Sequence, residues 1–163
     1  MSAGEARGEA PERTTMRAFL NDIVDEWRVA RGLTMLDYVD RFGADIAIVS
    51  DPALRQVIGN VIDNAVDVSP EWIGIRAARQ GDALELSVTD RGPGFAQEIL
   101  DGLGRPYRST KGKPGGGLGL FLLVNVLREL GGEVRAGNRE QGGADVTIYL
   151  PLDAIAYPAG DRS

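Results

Sequence analysis

The sequence predicts a two-layer α/β sandwich, with helices packed on one face of an apparently antiparallel sheet. Three observations lead to this fold class. Two long segments carry apolar residues at helical spacing, a third is apolar almost all round, and several others alternate apolar and polar residues as strands do. With 163 residues, 43% of them hydrophobic and 26% charged, the chain suits a single domain that buries a substantial core.

The composition disfavours several classes of function. The formal net charge of -6 argues against a nucleic-acid partner, because phosphate backbones attract clustered Lys and Arg. The chain has no cysteine for a disulfide or thiolate metal site, and no histidine to serve as a ligand, a catalytic base or a phosphoacceptor. No apolar run approaches the roughly 20 residues that span a bilayer, and no signal peptide opens the chain, so we expect no direct membrane contact.

The first part of the chain is predicted to contain a flexible lead-in, one helix and two strands. Residues 1–13 are small and charged without periodicity, which is typical of a flexible segment. Residues 14–31 place apolar side chains at helical spacing, and Gly32 ends the pattern. Residues 33–39 and 44–50 alternate like strands.

The middle of the chain is predicted to form a second helix followed by a β-hairpin. Asp51-Pro52 marks a helix start, because proline is tolerated in the first helical turn, and the helix continues to about Val68. Two alternating runs within residues 72–90 are joined by a Gln-Gly-Asp turn at 80–82, which indicates a hairpin.

The last part of the chain is predicted to contain an irregular segment, a buried helix and two strands. Residues 91–116 are rich in Gly, Pro, Arg and Lys and too irregular for one continuous element, although "AQEIL", residues 96–100, could form one or two helical turns. Residues 118–130 are apolar nearly all round, which indicates a buried helix, and Gly131-Gly132 closes it. The final strands are predicted at residues 133–138 and 144–152.

A stripe of short polar side chains marks the second helix, in the stretch "NVIDNAVDVS". At about 100° per residue, Asn60, Asn64 and Asp67 fall within roughly 60° of one another, and Asp63 lies beside them. The apolar side chains of the same helix centre about 150° away, so the stripe faces off the core. Either this face is merely solvated, or its amide and carboxylate oxygens bind a hard cation such as Mg²⁺.

Two further stretches have a composition that suits either a ligand-binding site or an ordinary turn or loop. "DRGPGF", residues 90–95, ends a strand with a carboxylate and two glycines, which is typical of a plain turn but also of a ligand-binding loop. "RPYRSTKGKPGGGLGLFLL", residues 105–123, runs from basic side chains and glycines straight into the buried helix. Such a helix start can bind phosphate, although a mobile surface loop has a similar composition. Neither the P-loop nor the dinucleotide-binding motif is present.

In this order, the three stretches resemble the catalytic ATP-binding domain of sensor histidine kinases, within the gyrase, chaperone, histidine kinase and MutL group of ATPases. "NVIDNA" is similar to the N box of that group, "DRGPG" to its D-x-G-x-G box and "GGGLGL" to its second glycine box. The resemblance covers roughly residues 32–152. The stretch from "GRPYRSTK" to "GGGLGLFLLVNV" looks most like redox-responsive sensor kinases of the RegB/PrrB type.

The resemblance implies a mixed, mostly antiparallel sheet on about three helices, a mobile lid over residues 104–117, and ATP with Mg²⁺ as ligands. Asn64 is implied to hold the metal, Asn60 to support the metal or the phosphates, and Asp90 to bind the adenine amino group. The other residues that we assign to ATP are Asp67, Gly92, Gly94, Arg108, Ser109, Thr110, Lys111, Gly115, Gly117, Leu118 and Gly119.

Position 60 favours one branch of the group. Members that hydrolyse ATP with water, and those that phosphorylate serine, carry a glutamate base four residues before the N-box asparagine. This chain has Asn60 there, an amide that cannot take up a proton. Asp67-Val68 departs from the sensor-kinase pattern, in which a basic and an aromatic residue are common, and resembles the water-hydrolysing branch instead.

The resemblance implies a catalytic domain that transfers the γ-phosphoryl group of ATP to a histidine on a dimerisation and phosphoacceptor hairpin absent from this chain, for relay to a response regulator. Residues 14–31 are then a linker helix from that hairpin domain, 32–155 the catalytic domain and 156–163 a flexible tail. We expect a cytoplasmic location and a membrane-anchored parent. The alternatives are a non-catalytic nucleotide-sensing module and an ATPase.

Overall fold

The computed structural model describes residues 12–30, 32, 36–69, 71–102 and 117–156, and in residues 117–121 only the backbone. These ranges hold four helices and seven strands, followed by a short 3-10 turn. In chain order the elements are β1 (Glu12–Thr15), α1 (Met16–Ala30), β2 (Leu36–Arg41), β3 (Ala47–Ser50), α2 (Pro52–Val68), β4 (Ile73–Gln80), β5 (Ala83–Asp90), α3 (Gln97–Gly102), α4 (Gly117–Glu129), β6 (Glu133–Asn138), β7 (Ala144–Pro151) and the 3-10 turn Leu152–Ala154.

The main sheet has five strands in the order β2–β4–β5–β7–β6. The β4–β5, β5–β7 and β6–β7 pairs are antiparallel, whereas β2 runs parallel to β4. The sheet is therefore mixed and mostly antiparallel, as the family resemblance implied. Periodicity alone suggested an entirely antiparallel sheet, and this prediction is wrong for β2, which is parallel to β4. A separate antiparallel pair joins β1 to β3.

Helix α2 begins and ends where local chemistry predicts. The Asp51 carboxylate caps the helix by accepting the backbone N–H groups of Ala53 at 2.8 Å and Leu54 at 3.3 Å. Pro52 occupies the first turn, where its missing N–H costs nothing. The predicted helix over residues 52–68 is confirmed.

The end of α4 shows the predicted glycine cap. Gly131 has a φ of 80°, and the Gly132 N–H donates to the Leu127 carbonyl at 2.7 Å. This 6→1 bond satisfies one of the carbonyls that a helix C-terminus leaves unpaired. The chain can therefore turn sharply from α4 into β6.

One hydrophobic core joins the helices to one face of the sheet. The buried strand residues alternate along β4, β5 and β7, whose other face is partly exposed. Helices α1, α2 and α4 contribute their apolar sides to the same core. This arrangement confirms the two-layer sandwich. No helix within the described ranges is long and apolar enough to cross a membrane.

The N-terminal elements differ from the prediction. Glu12–Thr15 form a strand, where we expected the end of a flexible lead-in and the start of a helix. The sequence pattern did not reveal this strand, because the strand forms by pairing with β3, which lies more than thirty residues away along the chain. The two strands that we predicted in this part of the chain, at residues 33–39 and 44–50, are present with different bounds, Leu36–Arg41 and Ala47–Ser50.

Helix α1 belongs to the main core. Met16, Phe19, Leu20, Ile23 and Val24 are buried in the same cluster as α2 and the sheet. The predicted boundary between residues 31 and 32 therefore does not divide the core. The assignment of residues 14–31 to a linker helix from a separate hairpin domain stays a prediction. Of the predicted tail, Ala156 pairs with Ile48 in an isolated bridge, and residues 157–163 lie outside the described ranges.

Tyr38 of β2 faces a small cavity enclosed by apolar side chains of α1, α2 and the sheet. Among the described residues its Oη atom is buried without a hydrogen-bond partner. Burial and, to a smaller extent, the charge of Asp40 raise the pKa of Tyr38 to about 12, and the charge of Arg17 opposes this shift.

Tyr38→Phe should raise the free energy of unfolding below pH 10 by about 1 kcal/mol, because a buried hydroxyl without a partner costs roughly that much. In the unfolded chain tyrosine ionises near its ordinary pKa of 10.0, below the folded value of about 12. The native chain should therefore lose stability as pH rises through this window, and the variant should lose less. Urea denaturation at several pH values measures both effects.

Tyr149→Phe is the matched control, because it removes a hydroxyl from the other face of the sheet. It should leave the pH profile closer to that of the native chain. If Tyr38→Phe were clearly less stable than the native chain below pH 10, the Tyr38 hydroxyl would have a stabilising partner and our explanation would be wrong.

Candidate functional site

Asp90 is a buried charged residue at the end of β5, with 5% of its surface exposed. Its Oδ1 atom accepts hydrogen bonds from the backbone N–H groups of Gly92 at 2.8 Å and Ala144 at 3.1 Å. Among the described residues, both hydrogen bonds to this carboxylate end on Oδ1. The carboxylate is thus fixed in orientation, and Oδ2 has no hydrogen-bond partner among the described residues, so this atom could accept a further hydrogen bond.

The turn between β6 and β7 supports the backbone of Asp90. The Arg139 Nη1 atom donates to the Asp90 carbonyl at 3.0 Å. Gly143 has a φ of 94°, and a Cβ atom there would lie 2.0 Å from the same carbonyl. Only glycine therefore fits beside Asp90. Sequence reasoning missed both residues, although the Gly142-Gly143 pair signals a backbone constraint.

Asn138 holds the loop that follows Asp90. Its Oδ1 atom accepts the Phe95 N–H at 2.7 Å, and its Nδ2 atom donates to the Phe95 carbonyl at 3.0 Å. A Cβ atom on Gly94, which has a φ of 86°, would lie 2.6 Å from Asn138 Oδ1. A Cβ atom on Gly92 would lie 2.6 Å from the Val68 carbonyl. Both predicted glycines are therefore required by close packing, whether or not they also shape a ligand pocket.

Ser69 links α2 to the loop after Asp90. This buried residue directly follows α2, and its Oγ atom donates to the Trp72 carbonyl at 2.6 Å and accepts the Arg91 N–H at 3.0 Å. The end of the asparagine-bearing helix is thereby fixed relative to the carboxylate-bearing strand. Two of the three predicted motifs thus lie at one end of the domain.

The polar stripe of α2 lies off the core, as its periodicity predicted. Asn60 and Asn64 are half-buried, whereas Asp67 is exposed. The Asn60 Oδ1 atom accepts from Gln56 Nε2 at 3.2 Å. Asp63 accepts the indole N–H of Trp27 at 2.7 Å, so its carboxylate contacts α1.

The amide oxygens on α2 suit a cation that takes its remaining ligands from water and from a bound phosphate compound. No group of three or more His, Cys, Asp and Glu side chains in the described ranges could hold a metal ion by itself. Amide oxygens at positions 60 and 64 are hard donors one helical turn apart. They suit Mg²⁺, which usually keeps waters and substrate phosphates among its ligands.

The third motif is only partly described. Helix α4 begins at Gly117, so Gly117, Leu118 and Gly119 form its first turn, as the sequence predicted for a helix start. The first backbone N–H groups of a helix have no partner within it, and the helix dipole favours an anion there. The other predicted phosphate-binding residues lie outside the described ranges: Arg108, Ser109, Thr110, Lys111 and Gly115.

The chain belongs to the family of histidine kinase-, DNA gyrase B- and HSP90-like ATPases, whose pattern matches residues 49–154. The C4-dicarboxylate transport sensor protein DctB of Pseudomonas aeruginosa is 37% identical over 103 residues, which cover 60% of this chain and 17% of DctB. The sensor histidine kinase component HK1 of Mycobacterium tuberculosis is 34% identical over 122 residues, which cover 72% of this chain and 73% of HK1.

Solved structures confirm the fold. The mycobacterial sensor histidine kinase MprB superposes with a TM-score of 0.66 at 24% identity, over 87% of this chain and 97% of that chain. The predicted family and its histidine-kinase type are confirmed by the sequence matches. The closer resemblance to redox-responsive kinases stays a prediction, as do the roles of individual site residues.

Asn138→Ala should loosen the loop after Asp90, because it removes both hydrogen bonds to Phe95. Amide hydrogen exchange at Gly94 and Phe95 should become about tenfold faster, the effect of losing roughly 1.4 kcal/mol of local stability. Asn21→Ala, at an exposed position of α1, is the matched control and should leave these amides unchanged. Unchanged exchange in Asn138→Ala would contradict the role of Asn138 as a clamp.

Proposed function

We propose that this domain binds ATP with Mg²⁺ and transfers the γ-phosphoryl group to a histidine of a separate helical hairpin, from which it passes to a response regulator. Membership of the ATPase family and sensor histidine kinases among the relatives support the class of reaction. The observation that carries the proposal is the buried Asp90 carboxylate, with one oxygen held by backbone and one left to accept. A cytoplasmic location for this activity stays a prediction.

Asp90 is the proposed adenine-binding residue. A carboxylate only accepts hydrogen bonds, and the adenine 6-amino group only donates them. Because Oδ1 is occupied by two backbone N–H groups, Oδ2 is the atom for the adenine. The tight turn at Gly92 and Gly94 would let the ring lie against the backbone.

The phosphates are proposed to lie between α2 and the start of α4, two helices that pack against each other. The Asn64 side-chain oxygen would be a metal ligand, and Asn60 would support the metal or a phosphate. When bound, Mg²⁺ would neutralise the phosphate charge and orient the γ-phosphoryl group. The further proposed ATP contacts are Asp67, Arg108, Ser109, Thr110, Lys111, Gly115, Gly117, Leu118 and Gly119.

Asn60 favours a histidine acceptor over water. Its amide cannot act as a general base, and it already accepts a hydrogen bond from Gln56. A neutral imidazole needs little activation near pH 7. Its nitrogen attacks the γ-phosphorus, the bond to the β–γ bridging oxygen breaks, and ADP leaves with the electron pair. The chain contains no histidine, so the acceptor must come from elsewhere.

Asp90→Asn should weaken ATP binding about ten- to a hundredfold, the cost of roughly 1.5–3 kcal/mol for a lost hydrogen bond to a charged group. The variant should stay folded, because the asparagine Oδ1 atom can still accept from Gly92 and Ala144. Its amino group then faces the adenine amino group, donor against donor. Isothermal titration with a non-hydrolysable ATP analogue gives the affinity, and thermal unfolding checks the fold.

Asp82→Asn is the control for this substitution, because Asp82 is exposed on the turn at the other end of β5. It should bind the analogue as the native chain does. If a folded Asp90→Asn variant bound as tightly as the native chain, Asp90 would not bind adenine.

Incubation with γ-labelled ATP tests the transfer. The chain alone should neither become labelled nor release phosphate appreciably, because it lacks both a histidine and a glutamate at position 60. With the phosphoacceptor hairpin of its parent kinase added in trans, it should transfer label weakly, since tethering normally supplies a high effective concentration. Asn64→Ala should stop the transfer.

The chemistry of the label distinguishes the alternatives. Phosphohistidine is labile in acid, so an acid wash should remove label from the hairpin. Acid-stable label on the chain alone would contradict the histidine-kinase proposal. Rapid phosphate release without the hairpin would indicate an ATPase, and binding without any transfer would indicate a nucleotide-sensing module.

A further inference from the structure

Helix α1 contacts α2 along one row of side chains, at positions 55, 59 and 63. The Trp27 ring lies directly on Gly59, where a Cβ atom would come within 2.3 Å of the ring carbon Cη2. The Trp27 Nε1 atom donates to Asp63 Oδ1 at 2.7 Å in a partly buried contact. One residue earlier on α1, Glu26 forms an ion pair with Arg55.

The neighbouring row of α2 carries the asparagines. Residues four apart lie almost above one another on a helix, so Gln56, Asn60 and Asn64 form a second row beside the first. Gln56 and Asn60 are hydrogen-bonded within this row. Gly59 directly precedes Asn60, and Asp63 directly precedes Asn64. The two contacts of Trp27 are therefore made to the chain neighbours of both asparagines.

The Trp27 contact affects both the packing of α1 on α2 and the direction of the Asp63 carboxylate. The close approach at Gly59 lets α1 lie close to α2, and the bond to Asp63 ties this side chain of α2 to α1. The same bond directs the Asp63 carboxylate toward α1 rather than toward Asn64. Without the indole N–H, the half-buried Asp63 carboxylate would lose its hydrogen bond to α1.

We propose that Trp27 is a positioning residue for the metal-binding asparagines, acting through Gly59 and Asp63. The proposal rests on the assignment of Mg²⁺ to Asn64 made above. Trp27 itself touches neither ATP nor the metal. It should therefore affect the Mg²⁺-dependent part of nucleotide binding and leave the part that depends on Asp90 unchanged.

Trp27→Phe tests this, because it keeps an aromatic ring over Gly59 and removes the indole N–H. The affinity for an ATP analogue is measured with Mg²⁺ and with EDTA. With Mg²⁺ the variant should bind about tenfold more weakly than the native chain, the effect of a lost hydrogen bond to a charged group. With EDTA the difference should stay within about twofold. A merely structural role would lower the melting temperature and change both affinities equally.

Trp72→Phe is the matched control. The Trp72 indole also donates to a carboxylate, Asp37 Oδ2 at 2.8 Å, but at an exposed site on the edge strand β2. This variant should keep the native gain in affinity from Mg²⁺. An equal loss in Trp72→Phe would overturn the proposal.

If Trp27→Phe folds poorly, variants of Asp63 test the same hydrogen bond from the acceptor side. Asp63→Ala removes the acceptor and should lose the same Mg²⁺-dependent affinity, and combining it with Trp27→Phe should add little. Asp63→Asn retains an oxygen that can accept from the indole and should keep most of the affinity. If Asp63→Ala abolished the Mg²⁺ effect while Trp27→Phe kept it, Asp63 would act on the metal directly and the proposal would be wrong.

The failure of this inference can be distinguished from that of the proposed function. If the native chain gains affinity from Mg²⁺, Asn64→Ala loses that gain and Trp27→Phe keeps it, only the positioning role is wrong. If the native chain gains nothing from Mg²⁺, or Asn64→Ala keeps the full gain, the metal assignment is wrong and this inference fails with it.

Discussion

A buried carboxylate at the end of β5 determines the structure around the candidate site. Charge taken out of water is costly unless hydrogen bonds compensate it, and Asp90 receives two from the backbone, at Gly92 and Ala144. To supply them, the loop after β5 must turn back tightly and the start of β7 must lie alongside. These requirements explain why glycine occupies positions 92 and 143, where a side chain would collide with neighbouring backbone.

The elements that sequence predicted best depend on short-range interactions. The Asp51 cap, the Gly131-Gly132 closure of α4 and the hairpin turn at Gly81 each involve neighbouring residues, so residue type alone reveals them. The parallel pairing of β2 with β4 and the short strand β1 depend on distant partners. Periodicity records neither pairing nor direction, and it could not place α1 in the shared core.

The same distinction applies to the candidate site. Asn60 and Asn64 stood out because short amides are unusual in a helix interior, whereas Asp90 was assigned through its resemblance to a family motif, since Asp and Gly alone are also typical of a plain turn. Asn138, Arg139 and Trp27 are ordinary in their own surroundings, and their roles come from contacts made 36 to 49 residues away along the chain. Such supporting residues become visible only when the fold brings the segments together.

Asp90 is proposed to accept a hydrogen bond from the 6-amino group of adenine. This hydrogen bond can be tested by changing the ligand and leaving the protein intact. The affinity of the native chain for ATP is compared with that for purine riboside triphosphate, which lacks the amino group. We expect the purine analogue to bind about ten- to a hundredfold more weakly, because the Asp90 carboxylate is then left without its donor. Equal affinity for the two nucleotides would contradict the account.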